Sequence, residues 1–282
     1  MSDTFCTIDN ISFEYVDTDE EGPEDPGGPI SVFRSLSAEI PKGLVTFVGQ
    51  NGTGKTTLML LCGARLLPQA GKITILGRDT RTITDETERN RIASFVYQNM
   101  EFETQEGIEE LFHFVLENGF NEDKNPGFVD ELLEVFGLKD AAGRRLQQLG
   151  KGDIQKAVVA FAMLYGSDSL FMDEPVFALE ENQKHQLFEY LSDYARKHDV
   201  PVCYSMHELE LSRKYSDHVV FFHKSGRIEV CDAAELESEK KLEVVYEIPY
   251  AMLYQKEHLH RRHLKALDAE VENLRRKDRP EE

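Results

Sequence analysis

Gly49-Gln50-Asn51-Gly52-Thr53-Gly54-Lys55-Thr56-Thr57 fits the pattern G-x-x-x-x-G-K-[ST] residue for residue. It follows Leu44-Val45-Thr46-Phe47-Val48, a short, β-branched run, apolar but for Thr46, of the kind a parallel sheet buries on both faces. The glycines let the backbone curl around an anion without Cβ obstruction. The amide hydrogens of the turn and of the next helix N-terminus then converge on that anion. In this geometry Lys55 neutralises the β and γ phosphates of a nucleotide, and the Thr56 hydroxyl ligates Mg²⁺. A dinucleotide-binding turn is excluded, because the spacing is G-x-x-G-x-G rather than G-x-G-x-x-G and a Lys-Thr pair has no role there.

Other buried-strand runs follow at Leu170-Phe171-Met172, Val202-Cys203-Tyr204-Ser205 and Val219-Val220-Phe221-Phe222. Between them residues 98–149 read as mainly helical, with Leu111, Val115, Leu132, Leu133 and Phe136 at helical spacings and Pro126-Gly127 as a break. Buried strands alternating with helices predict an α/β fold with a parallel sheet. Residues 5–15 read as half-buried strands joined by a turn, and residues 242–248 as a further strand. Residues 17–29 (DTDEEGPEDPGGP) form an acidic, Gly- and Pro-rich stretch expected to be a solvated loop. Leu264, Leu267, Val271 and Leu274 recur at spacings of three and four in a charged tail, short of two full heptads, so a helix lying on its own domain is expected rather than a coiled coil. His258, His260 and His263 lie on the same stretch without a carboxylate or thiol partner, and no metal site is expected there.

Charge narrows the function classes. With 32 Lys plus Arg against 52 Asp plus Glu the formal charge is −20, which argues against nonspecific nucleic-acid binding as the main task. The longest apolar run, residues 157–165, is nine residues, about half of what a membrane-crossing helix needs. The first residues lack the basic start and apolar stretch of a secretory signal, so a cytosolic chain is expected. Cys6, Cys62, Cys203 and Cys231 show no C-x-x-C pairing and read as small core residues.

Asp173 and Glu174 follow the strand at 170–172, at the carboxyl edge of the sheet where the phosphate loop also opens. Asp173 suits an outer-sphere Mg²⁺ ligand, and Glu174 suits the group that orients or deprotonates the attacking water. On these motifs the chain, from about Phe5 to about Asp232, resembles a nucleotide-binding subunit of the ATP-binding cassette family.

The resemblance implies a P-loop NTPase (RecA-like) core with a mostly parallel sheet, an N-terminal antiparallel β subdomain, and an inserted α-helical subdomain at about 99–165. The cassette would occupy 1–232 and a C-terminal extension 233–282, ending in a charged helix. It implies that Gln98, closing Ser94-Phe95-Val96-Tyr97-Gln98, contacts Mg²⁺ or the attacking water. It implies that His207, in Met206-His207-Glu208, senses the γ phosphate, and that Tyr15, or alternatively Phe13, stacks on adenine. The phosphate cradle would be Gly49, Asn51, Gly52, Thr53, Gly54, Lys55, Thr56 and Thr57; the metal set Thr56, Gln98 and Asp173; the catalytic set Glu174, His207, Gln98 and Lys55.

Two motifs depart from the family. Its signature L-S-G-G-Q clamps the γ phosphate held by the opposite subunit; here the register carries Leu149-Gly150-Lys151-Gly152-Asp153. Gly150 lacks the serine hydroxyl, whose hydrogen bond to a charged group is worth about 1.5–3 kcal/mol. Asp153 adds negative charge that Lys151 could offset. After Glu174 the usual S-A-L-D is Phe177-Ala178-Leu179-Glu180. The resemblance implies ATP and Mg²⁺ as cofactors, and as partners a second cassette subunit, identical or different, and a separate integral-membrane permease, at the inner face of the cell membrane. The rival expectation is a soluble cassette ATPase or an ATP-dependent regulatory clamp acting on another assembly.

Overall fold

A computed structural model describes residues 4–15, 30–98, 100 and 103–255. The acidic stretch 17–29, the heptad-spaced tail and its three histidines lie outside the described residues. In chain order come strands β1 (Thr4–Tyr15), β2 (Ile30–Pro41) and β3 (Leu44–Gly49), helix α1 (Lys55–Cys62), strands β4 (Ala70–Ile75) and β5 (Arg78–Asp79), helix α2 (Glu86–Ile92) and strand β6 (Ser94–Val96). Three helices follow, α3 (Ile108–Asn118), α4 (Gly127–Val135) and α5 (Lys151–Tyr165). The chain then alternates: β7 (Leu170–Asp173), α6 (Glu181–His198), β8 (Val202–Ser205), α7 (Leu209–Tyr215), β9 (His218–Phe222), β10 (Ile228–Asp232) and α8 (Glu239–Tyr246).

Every residue of β3 is buried, as its mostly apolar run requires, and the one polar side chain, Thr46, pairs its hydroxyl with Ser212 Oγ at 3.1 Å. β3 pairs in parallel with β8 through Leu44↔Val202 and Phe47↔Ser205, and with β9 through Val48↔Phe221. The sheet order is β10-β9-β3-β8-β7-β6, with only β10 antiparallel to its neighbour among the described strands. A second sheet, β2-β1-β4-β5, is antiparallel throughout. The mixed α/β architecture expected from the sequence is present, with its antiparallel N-terminal sheet. α3, α4 and α5 share a core with Met172, Phe188 and Tyr204, so the helical insert is fused to one face of the parallel sheet. Leu132, Leu133 and Phe136 are buried, whereas Leu111 and Val115 only flank a face made by Ile108, Phe112 and Leu116.

Three expectations are corrected. Residues 5–15 form one strand rather than two, because a bulge at Asn10 (φ 48°) inserts an extra residue between Ile8 and Ile11. The bulge brings Ile11 and Phe13 back to the buried face that Cys6 and Ile8 occupy. Residues 242–248 are not a strand: 239–246 is a helix, capped by Ser238 Oγ, which accepts from the Lys241 amide. Leu242, Val245 and Tyr246 fall at i, i+3 and i+4 and pack against Val48, Val219 and Phe221 of β3 and β9. Cys6, Cys62 and Cys203 are buried, but Cys231 is half-buried, with the Lys241 ammonium 3.1 Å from its sulfur.

Candidate functional site

β3 ends at Gly49, and α1 begins behind a left-handed Gly54 (φ 96°). The turn between them closes on itself: Thr53 Oγ1 donates to the Gln50 carbonyl at 2.8 Å, and Lys55 Nζ donates to the carbonyls of Gly49 and Gln50, both at 2.9 Å. Burial pushes the Lys55 ammonium below its ordinary range, while the carboxylates of Asp173 and Glu174 pull the other way. A cation held in this way, short of full solvation, is poised to exchange two carbonyls for phosphate oxygens.

β7 and β8 are neighbours with Asp173 opposite Ser205, so the carboxylates come to the same edge as the glycine turn. Thr56 Oγ1 donates to Asp173 Oδ2 at 2.5 Å, and Ser205 Oγ donates to the other Asp173 oxygen. Glu174 has a left-handed backbone (φ 51°), costly for a residue with a Cβ; its amide is held by the Ser205 carbonyl and hydroxyl, both at 3.2 Å. Its side chain is gripped at both oxygens: Gln98 Nε2 donates to Oε2 at 2.9 Å, and His207 Nε2 lies 2.9 Å from Oε1.

Lys55, Thr56, Gln98, Asp173, Glu174 and His207 line a cleft of about 630 Å³ together with Tyr15, Asn51, Gly52, Gly54, Thr57 and Glu208. Gly49 and Thr53 are not among the lining residues; they shape the turn from behind. Tyr15 is on the wall, its hydroxyl 3.2 Å from Thr57 Oγ1 and its ring against the edge of Phe13, which is buried in the core. Gly150, Lys151 and Gly152 are not brought into this cleft. They start α5, where a Cβ on Gly152 would stand 3.0 Å from the Ala178 carbonyl, so the helix N-terminus is seated on the loop after Glu174. The charge on Asp153 is met by buried Lys156 at 2.8 Å rather than by Lys151. Sequence reading missed Ser205, which organises both carboxylates; its only signal was its place at the end of a buried strand. Among the described residues no cluster of three or more His, Cys, Asp or Glu could hold a metal by itself. Thr56 and Asp173 are hard oxygen donors hydrogen-bonded to one another beside the glycine turn, a donor chemistry that fits Mg²⁺.

A lysine-bearing glycine turn between a buried parallel strand and a helix, with an acidic pair at the end of a strand of the same sheet, defines a P-loop nucleotide-hydrolysing protein. The model of the ABC transporter family matches residues 33–177, just over half of the 282 residues, and the chain belongs to that family as an ABC-type ATPase. The ABC transporter ATP-binding protein NatA of Bacillus subtilis is 28% identical over 220 residues, covering 77% of this chain and 89% of NatA. A dimeric ATP-binding cassette solved in a post-hydrolysis state with ADP and Pi shares the fold at TM-score 0.66 and 18% identity, covering 81% of this chain and 98% of that one. The cbiO1 protein of Clostridium perfringens, part of the ABC transporter complex cbiONQ, shares it at TM-score 0.67 and 18% identity, covering 86% and 93%.

Proposed function

We propose that this chain binds ATP with Mg²⁺, pairs with a second cassette subunit around the nucleotides, and uses hydrolysis to drive a separate membrane permease. The observation that carries the reading is the Glu174 carboxylate, fixed at both oxygens by Gln98 and His207, one residue beyond Asp173 and across the cleft from the Lys55 turn. A carboxylate held there orients the attacking water and accepts its proton as the γ phosphoryl leaves. Lys55 gives up its two carbonyls to neutralise the β and γ phosphates, and the amides of the turn bind the same oxygens. In this reading His207 reaches the γ phosphate when it releases Glu174. The exposed Tyr15 ring stacks on adenine, an arrangement available to any flat base.

Bound Mg²⁺ would be held by Thr56, Asp173 and Gln98, and supplies neutralisation of charge on the phosphates. Replacing Glu174 by Gln tests the core of the reading. Glu174→Gln should keep nucleotide binding and lower phosphate release by about 10²-fold or more. Unchanged release would remove Glu174 from catalysis, and ATP binding without turnover in the unaltered protein would favour a regulatory clamp.

The altered signature supports unequal pairing. Each site in such a pair is completed by the opposite signature, so Gly150 and Lys151 weaken the partner's site and leave this chain's Glu174 and His207 to be served by a partner with the serine. No helix among the described residues is long and apolar enough to cross a membrane. In this reading the permease is a separate chain; cbiO1 is likewise described as part of an ABC transporter complex. The chain would then sit on the cytoplasmic face of the membrane through that permease. Affinity purification from native membranes checks this: a polytopic protein and a second cassette should accompany the chain.

A further inference from the structure

We infer that Lys184 is a positioning residue for His207, acting through Glu208; the inference rests on the reading of His207 and Glu174 given above. Lys184 stands in the first turn of α6 and is 3% exposed. Its ammonium lies 2.5 Å from Oε1 of Glu208, whose side chain is also largely buried. Glu208 follows His207 directly and is the N-cap residue of α7.

The two segments joined by this pair leave the sheet side by side. β7 and β8 pair as far as Asp173 opposite Ser205, the Glu174 amide still donates to the Ser205 carbonyl at 3.2 Å, and past that bond the two segments diverge into α6 and α7. One chain carries Glu174 and runs into α6; the other carries His207 and runs into α7. The far end of α7 is fixed to α6 by the stacked rings of Phe188 and Tyr215, 5.6 Å apart, and by His185 Nδ1 against the Tyr215 hydroxyl at 2.9 Å. The near end, beside His207, is fixed by Lys184 and Glu208. A buried ion pair contributes little net stability against an apolar alternative, but its partners tolerate few placements, so it specifies geometry. Here that geometry is the 2.9 Å approach of His207 to Glu174. Lys184 also offsets the Glu208 carboxylate in a cleft that already holds Asp173 and Glu174 and must accept a polyphosphate.

The test uses the full chain, with any cassette that accompanies it from its host, and the variants Lys184→Met, Lys184→Arg and the double variant Lys184→Met/Glu208→Gln. Lys184→Met should lower kcat for ATP hydrolysis by about tenfold to a hundredfold, the scale of a misplaced reacting group, and Lys184→Arg should restore most of it. The double variant removes the charge of Glu208 together with that of Lys184, so its Tm and nucleotide affinity should recover while kcat stays low. A second readout does not need turnover: the Cε1–H signal of His207 in NMR spectra, assigned with His207→Ala, should move in Lys184→Met and return in Lys184→Arg. An unchanged kcat in Lys184→Met, recovery of kcat together with Tm in the double variant, or an unmoved His207 signal would each overturn the inference. Glu174→Gln in the same assay reports separately: if hydrolysis survives it, the catalytic reading fails, while the NMR result still decides whether Lys184 places His207.

Discussion

Glycine does two different jobs in the phosphate turn, and substitution separates them. A Cβ on Gly49 would lie 2.5 Å from the Phe222 carbonyl oxygen, where only backbone can give way. One on Gly52 (φ 76°) would meet nothing within 4 Å and face only the left-handed backbone. Gly49→Ala should therefore cost about 1–3 kcal/mol by overpacking and abolish tight ATP binding. Gly52→Ala should cost about 1–2 kcal/mol of backbone strain. Urea denaturation and nucleotide titration of the two variants check the order. At this scale the turn was legible because its chemistry lies in contiguous residues. Ser205 was not, since its hydrogen bond to Asp173 spans 32 positions and a serine at a strand end carries no signal of its own. The choice between Tyr15 and Phe13 also had to wait for packing, which buries one ring and leaves the other on the cleft wall.

Among the elements, α8 shows how local pattern misleads. Leu-Glu-Val-Val-Tyr-Glu-Ile, at 242–248, has the β-branched and aromatic content of a strand, yet Leu242, Val245 and Tyr246 also satisfy a helical stripe. Tertiary packing against Val48, Val219 and Phe221 selects the helix. The Gln50 side chain donates to the Tyr246 carbonyl, so the end of α8 also touches the phosphate turn. Leu242, 1% exposed, should therefore behave as a core residue of the cassette: Leu242→Ala is expected to destabilise the protein by about 2–5 kcal/mol in a single cooperative transition. Circular dichroism and ATP protection against unfolding, followed together, test this; an early separate transition for the C-terminal segment would contradict it. β1 teaches the same lesson. Its alternation breaks at Asp9 and Asn10, which reads as a turn between two strands, until pairing with β2 on one side and β4 on the other makes the break a bulge.

For the whole molecule, the altered signature makes a quantitative prediction. Restoring it with Gly150→Ser and Lys151→Gly returns a hydrogen bond to a charged group, about 1.5–3 kcal/mol, so turnover by the isolated chain should rise about tenfold or more. Steady-state hydrolysis with and without the natural partner measures it; an unchanged rate would show that the signature does not limit the isolated chain. The strand-turn-helix that holds phosphates, the class of fold and the carboxylate pair were all determined by sequence alone, because each rests on the backbone needs and side-chain chemistry of consecutive residues. The convergence of Gln98, Glu174 and His207 on one point, the cleft position of Tyr15, the fusion of the helical insert to the sheet and the fate of residues 239–246 were decided by tertiary structure. Parallel strands cannot be joined by tight turns, so the chain must cross over between them, and strands distant in sequence become neighbours whose ends meet at one edge. Which side chains meet there depends on sheet order and register, quantities that no short stretch of residues contains.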